Sequence, residues 1–188
     1  MRTAYIGMGG NLPSRAGQPG ATLAAAALRL ESLGRITHRS SLYSTEPVGF
    51  AEQPRFVNAV VALETELEPR ELLNALLAIE HEFGRNRAEG IPNGPRTLDL
   101  DILLLGDVQL NEPYLEIPHP RLAERAFVLI PLREIAPQIV DAICGKTMSQ
   151  LLHNLPFDPE SEAYAVVQVQ CDAWRAGPCV DGFGRPTS

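Results

Sequence analysis

The stretch Gly94-Pro95-Arg96-Thr97-Leu98-Asp99-Leu100-Asp101-Ile102-Leu103-Leu104-Leu105 decides how the rest of the chain is read. Gly94 and Pro95 interrupt whatever precedes them, and a strand-like run follows. Alternation along a strand puts Leu98, Leu100, Ile102 and Leu104 on one face and Asp99, Asp101, Leu103 and Leu105 on the other. The second face opens with two carboxylates and ends apolar, which sets the aspartates at the mouth of a partly buried surface. Their backbones lie roughly 6.5–7 Å apart, close enough for the carboxylates to converge. Two readings fit them. One is a solvated edge strand. The other is a ligand pair for hard cations, since two metals about 3.5–4 Å apart recur in phosphoryl transfer. Arg96 beside them suits either a phosphate or a structural ion pair.

Working upstream, Pro69 opens a helix with Leu72, Leu73, Leu76, Ile79, Glu80 and Phe83 along it, and Gly84 closes it. Glu80 lies on or beside the apolar stripe. Arg85 to Asn93 has no apolar periodicity and reads as an irregular loop, either a lid whose arginines close over phosphates or an ordinary solvated segment. Phe56 to Leu67 reads as a strand. Asn58 interrupts its apolar run and needs hydrogen bonds from the backbone or from a polar ligand. Thr45 to Phe50 is a loop, because Pro47 and Gly49 interrupt ladder pairing. Ile36 to Tyr43 reads as a strand, Gly20 to Leu33 as a helix ended by Gly34, and Thr3 to Gly9 as the first strand. The turn Gly9-Gly10-Asn11-Leu12-Pro13 has neither the G-x-G-x-x-G spacing nor the P-loop lysine.

Downstream, Gly106-Asp107 turns into Val108-Gln109-Leu110 as a hairpin. His119 is held between Pro118 and Pro120, in a structural or a functional role. Arg121 to Ile135 reads as a helix that Pro131 kinks or restarts, and Thr147 to Leu155 as a short helix. Ala163 to Gln170 is a candidate strand, and the chain from Ala176 reads as a flexible tail. The order βαββαβ predicts an α+β sandwich, one mainly antiparallel sheet with helices against it. The expected division is a domain over 1–156 and a C-terminal extension over 157–188, to which no role is assigned.

Composition narrows the function classes. The 188 residues are 45% hydrophobic and carry a net charge of −7, which disfavours broad binding to nucleic acid or an anionic membrane. Met1-Arg2-Thr3-Ala4-Tyr5-Ile6 lacks a signal-peptide core and no run reaches transmembrane length, so a cytoplasmic protein is expected. Cys144, Cys171 and Cys179 have no zinc-like spacing and read as reduced thiols.

At this point the motifs resemble those of the hydroxymethyldihydropterin pyrophosphokinase family of folate biosynthesis. The likeness runs from about Thr3 to Leu155. It rests on Gly94 to Asp101, on Gly84-Arg85-Asn86-Arg87 and Pro118-His119, and on Tyr43 to Gly49 and Gln53 to Asn58 in order and spacing. The opening Ile6 to Leu12 is similar, with Gly10 where a serine is usual. The resemblance implies a ferredoxin-like fold and transfer of an intact pyrophosphoryl group from ATP to 6-hydroxymethyl-7,8-dihydropterin, releasing AMP. It implies that Asp99 and Asp101 ligate two Mg2+ ions, with ATP as co-substrate. Arg85 and Arg96 would be the arginines most tied to rate. Glu80, Arg87, Ile102, His119 and Arg125 would serve the ATP side. Thr45, Val48, Phe56, Asn58 and Phe127 would form the pterin slot, with Phe56 and Phe127 sandwiching the ring. A monomer that binds neither nucleic acid nor membrane is implied, and Asp99→Ala should abolish activity at little cost in stability. Pro92 and Asn93 stand where the family often has Arg-Trp, and Phe56 where Tyr is common. The competing readings are a ferredoxin-like module that binds pterin or nucleotide without turnover and a metal-dependent phosphohydrolase that uses the same Asp pair.

Overall fold

The computed structural model describes residues 1–47, 52–87, 91, 93–155 and 166–175. One antiparallel sheet organises them. It contains β1 (Arg2–Gly10), β2 (Arg35–Arg39), β3 (Leu42–Thr45), β4 (Phe56–Thr65), β5 (Asp99–Leu105) and, further along the chain, β8 (Val167–Val169). The order is β5-β1-β4-β3-β8, with β2 also paired to β4. The long β4 runs the length of β1, from Arg2 opposite Thr65 to Gly10 opposite Val57.

The sheet is covered on both faces. On one side lie α1 (Pro19–Leu30) and α2 (Pro69–Glu82). They bury Leu23, Leu30, Leu72, Leu76 and Ile79 against Ala4, Ile6, Met8, Val61, Leu63 and Leu100. On the other side α3 (Ala126–Ile135) and α4 (Met148–Asn154) bury Leu129, Leu132, Met148 and Leu151 against Val60, Leu103 and Leu104. Pro69 starts α2, and the Glu68 backbone N–H donates to the Glu71 carboxylate at 2.9 Å in a capping box. Thr147 and Gln150 cap α4 in the same way.

The expected architecture is present, and five local expectations are corrected. First, β5 bulges: Ile6 stands opposite Ile102 while Tyr5 stands opposite Leu104, so Leu103 is an extra residue. Side-chain alternation inverts there. Leu105, not Leu104, joins Leu98, Leu100 and Ile102 beneath α1 and α2, and Leu104 joins Leu103 on the α3 side. Second, the single strand expected over 36–43 is two, because the Ser40 hydroxyl accepts from the Val60 N–H at 2.9 Å, in place of a main-chain carbonyl. Third, Val108 to Leu110 does not pair with β5. The hairpin is β6 (Leu110–Glu112) with β7 (Leu115–Ile117), a separate two-stranded sheet. Fourth, the helix expected from Arg121 begins as a 3₁₀ turn over Leu122–Glu124, breaks at an extended Arg125, and resumes as α3, which runs through Pro131.

Fifth, the candidate strand over 163–170 shortens to β8, its first residues lying outside the described ones. β8 pairs with β3, and α5 (Asp172–Arg175) then buries Trp174, whose indole N–H donates to the Ser40 carbonyl at 2.8 Å. Residues 166–175 thus extend the same sheet. Among the described residues no helix is long and apolar enough to cross a membrane.

Candidate active site

The site grows from a hollow in the α3 face of the sheet. Tyr5, Gly7 and Gly9 of β1 point to that face, and the two glycines leave it open. A Cβ on Gly7 would stand 3.3 Å from Leu103 Cδ2, and one on Gly9 2.8 Å from Asn58 Oδ1. Asn58, Arg96, Asp99, Asp101, Arg125 and Phe127 line the hollow. It continues into a cavity of about 250 Å³ whose walls include Thr45, Phe56, Asn58, Arg96, Arg125 and Phe127. Four residues, Asn58, Arg96, Arg125 and Phe127, therefore belong to both parts.

The cavity is the aromatic end. Phe56 begins β4 and Phe127 lies in the first turn of α3. The Arg96 guanidinium sits 4.7 Å from the Phe56 ring centroid, and Arg125 sits 5.6 Å from that of Phe127. The buried Asn58 amide donates to the Thr45 hydroxyl at 2.7 Å, so its partner is a neighbouring side chain on β3.

The hollow is the charged end. Asp99 pairs with Arg85, which also donates to the Leu98 carbonyl at 2.9 Å. Arg96 Nε lies 2.9 Å from Asp99 Oδ2, but off the hydrogen-bond line. Behind them Glu80, 1% exposed, receives Arg87 bidentately at 2.8 Å per contact and accepts the Leu100 N–H at 2.8 Å. These bonds push the Arg87 pKa up. Glu80 is thus an inward-facing clamp for Arg87 and β5.

Asp101 differs from Asp99. Among the described residues no hydrogen bond or ion pair reaches its carboxylate, and burial with the Asp99 charge pushes its pKa up to about 6. Two hard oxygen donors, one half-buried and unpaired among the described residues, fit a hard divalent cation completed by water and phosphate oxygens. Among the described residues no third Asp, Glu, His or Cys joins them as a metal cluster. Arg96 Nε and Thr97 Oγ1 are buried without hydrogen bonds among the described residues. Both suit an incoming anion oxygen.

His119 is fixed by its own N–H, which donates to the Leu103 carbonyl at 2.9 Å beside the β5 bulge. Its Nδ1 accepts the Arg121 N–H at 3.0 Å. Burial and the nearby Arg125 pull its pKa down to about 4. The ring is therefore neutral at pH 7, with its proton assigned to Nε2. Burial likewise pulls Arg125 down.

The structure brings together Thr45, Phe56, Asn58, Arg85, Arg87, Arg96, Asp99, Asp101, His119, Arg125 and Phe127. Val48 and Pro92 lie outside the described residues, as does part of the expected lid. Asn93 adopts a left-handed φ of 57°, which asparagine tolerates, and lines the cavity. Ile102 is not in the hollow; its side chain is in the core on the α1–α2 face.

Sequence reading missed the organiser of the site's loops, Asn11. Its Nδ2 donates to Gln53 Oε1 and the Pro54 carbonyl, both at 3.0 Å, and its Oδ1 accepts the Arg96 N–H at 2.8 Å. Its own N–H donates to the Arg96 carbonyl at 2.9 Å. Gln53 in turn donates to the Asn93 carbonyl at 2.8 Å. The signal available was an Asn within an apolar opening, 4% exposed once folded.

Comparison with known proteins places this geometry in context. Residues 5–137 match the profile of the family described as 7,8-dihydro-6-hydroxymethylpterin-pyrophosphokinase (HPPK). A Pseudomonas aeruginosa protein named 2-amino-4-hydroxy-6-hydroxymethyldihydropteridine pyrophosphokinase is 44% identical over 158 residues, 84% of this chain and 94% of its own length. A Bacillus subtilis protein of the same name is 43% identical over 136 residues, 72% of this chain and 79% of its own. Among solved structures, wild-type Plasmodium falciparum HPPK-DHPS superposes with a TM-score of 0.61 at 16% identity, covering 81% of this chain. The chain spans 44% of that longer protein, and the likeness concerns the fold.

Proposed function

The chain belongs to the 7,8-dihydro-6-hydroxymethylpterin-pyrophosphokinase family, and on that premise we propose how its own residues carry the family's reaction. The reaction moves the pyrophosphoryl group of ATP to the hydroxymethyl group of 6-hydroxymethyl-7,8-dihydropterin, giving AMP and the pterin diphosphate, a step of folate biosynthesis. The hydroxymethyl oxygen bonds to the β-phosphorus and releases its proton to solvent, and the oxygen bridging the α- and β-phosphorus departs with AMP.

The observation that carries the reading is the continuity of the two ends. An aromatic cavity and a hollow with two carboxylates share Asn58, Arg96, Arg125 and Phe127. A flat heterocycle in the cavity therefore holds its substituent at the charged end. Phe56 and Phe127 stack the pterin, and Asn58, held by Thr45, presents its amide to the ring's donor–acceptor edge. Arg96 and Arg125 take phosphate oxygens and leave their aromatic partners to the ring. Arg85 and Arg87 complete the charge neutralisation, Glu80 aims Arg87, and the neutral His119 donates one hydrogen bond from Nε2. Asp99 and Asp101 would hold the family's two Mg2+ ions, which would supply charge neutralisation for the ATP phosphates and lower the pKa of a coordinated hydroxyl.

The test is an assay for AMP from ATP and hydroxymethyldihydropterin, with and without Mg2+. AMP should form only when pterin and Mg2+ are both present, in equal amount to pterin diphosphate. Phosphate release independent of pterin, or pterin binding without AMP, would overturn the reading.

A further inference from the structure

The 250 Å³ cavity has one wall from outside the matched region. Val166 lines it, whereas the family match ends at residue 137. Its place follows from strand register. In the β3–β8 pair Leu42 faces Val169, Tyr43 faces Gln168 and Ser44 faces Val167. One step further brings Val166 level with Thr45, and opposite residues in an antiparallel pair share a face. Thr45 lines the cavity too.

The register is pinned from both faces. On the α1–α2 side Val169 and Cys171 pack against the core that holds Leu42, and Cys171 Sγ lies 3.1 Å from a Cβ built on Gly20. On the α3 side Gln168 donates to the Ser41 hydroxyl at 2.9 Å, and that hydroxyl donates to Glu134 of α3 at 2.9 Å. Beyond the strand, Trp174 is latched to the Ser40 carbonyl and covered by Arg39, 5.6 Å from its ring. A one-residue slip would turn Val166 to the opposite face, and each of these anchors opposes it.

We infer that residues 166–175 form a pterin-positioning wall, with Val166 setting the cavity's width against the ring and Trp174 holding the wall in register. This rests on the reading of the cavity as the pterin end. It makes Val166 a specificity-determining residue for the flat heterocycle and leaves the phosphate groups untouched.

The full chain and its Val166→Phe variant test this, using pterin titration by calorimetry together with steady-state kinetics. Val166→Phe should raise the pterin Kd and KM about tenfold, one overpacking penalty, while kcat and the KM for ATP stay unchanged. Trp174→Phe, which retains ring packing and loses the bond to Ser40, should raise the pterin KM to a smaller degree. Should Val166→Phe fail to fold, Val166→Ala keeps the question open to measurement, since a widened cavity should also weaken pterin binding. Wild-type pterin affinity in either folded Val166 variant overturns the inference alone. A wild-type chain that binds no pterin overturns the reading of the cavity and this inference with it.

Discussion

Asp99 and Asp101 are the same side chain two positions apart on one strand face, yet their surroundings are opposite. Asp99 is held by Arg85 and Arg96, and the half-buried Asp101 carboxylate beside it has no partner among the described residues. A carboxyl whose folded pKa is raised contributes stability at pH below its unfolded value of 3.8, and loses it as pH climbs through about 6. Asp101→Asn should therefore stabilise the metal-free protein at pH 7.5 by up to about 3 kcal/mol, at roughly 1.4 kcal/mol per pKa unit. The gain should vanish near pH 4, as read by urea denaturation in EDTA at both pH values, and activity should be lost. Asp99→Ala should destabilise by about 2 kcal/mol, because it strands two guanidinium groups. That is larger than the small stability cost expected from sequence. His119 runs the other way from Asp101. Its lowered pKa makes the folded state lose stability as pH falls from 6.5 toward about 4, so His119→Asn should flatten that part of the stability profile. The aspartate pair was legible because alternation puts both on one face. Their partners were not, since Arg85 reaches Asp99 only after the chain reverses between α2 and β5.

Among elements, β1 is the one against which the site's other segments are set. Gly10 lies at its end, where a Cβ would stand 2.4 Å from the Thr97 carbonyl. Gly10→Ala should cost about 2 kcal/mol in urea denaturation and raise the KM for ATP, because it pries Arg96 and Thr97 from the strand. Strand and helix identities were readable where apolar period and breakers agree, as in α2 between Pro69 and Gly84. They were unreadable where the signal is uniform. Leu103-Leu104-Leu105 offers no polar residue to mark the bulge, so the inversion of faces leaves no trace in the pattern. The β2–β3 break depends on a Ser40 hydroxyl entering the ladder, and the late start of α3 on an extended Arg125 that turns into the hollow. In each case a tertiary contact outweighs local preference.

At the scale of the molecule, an acidic chain of net charge −7 gathers Arg85, Arg87, Arg96, Arg121 and Arg125 around one hollow and its adjoining cavity. Overall charge disfavours broad binding to nucleic acid, but only the fold shows where the positive charge converges. The extension was the least legible part. Its three-residue strand and four-residue helix are too short for periodicity, and Trp174 is the anchor. Trp174→Ala should cost about 3 kcal/mol in thermal or urea unfolding, as for a buried aromatic. A last consequence follows from Asn11, whose single amide ties the segment before Phe56 to the one bearing Arg96. In the proposed reading the segments that serve the two substrates share this tie, so their binding energies are expected to be coupled, and reciprocally so. Occupancy by nucleotide should tighten pterin by the same factor that pterin tightens nucleotide. Asn11→Ala should bring that factor toward one in paired calorimetric titrations, leaving two neighbouring sites that no longer sense each other.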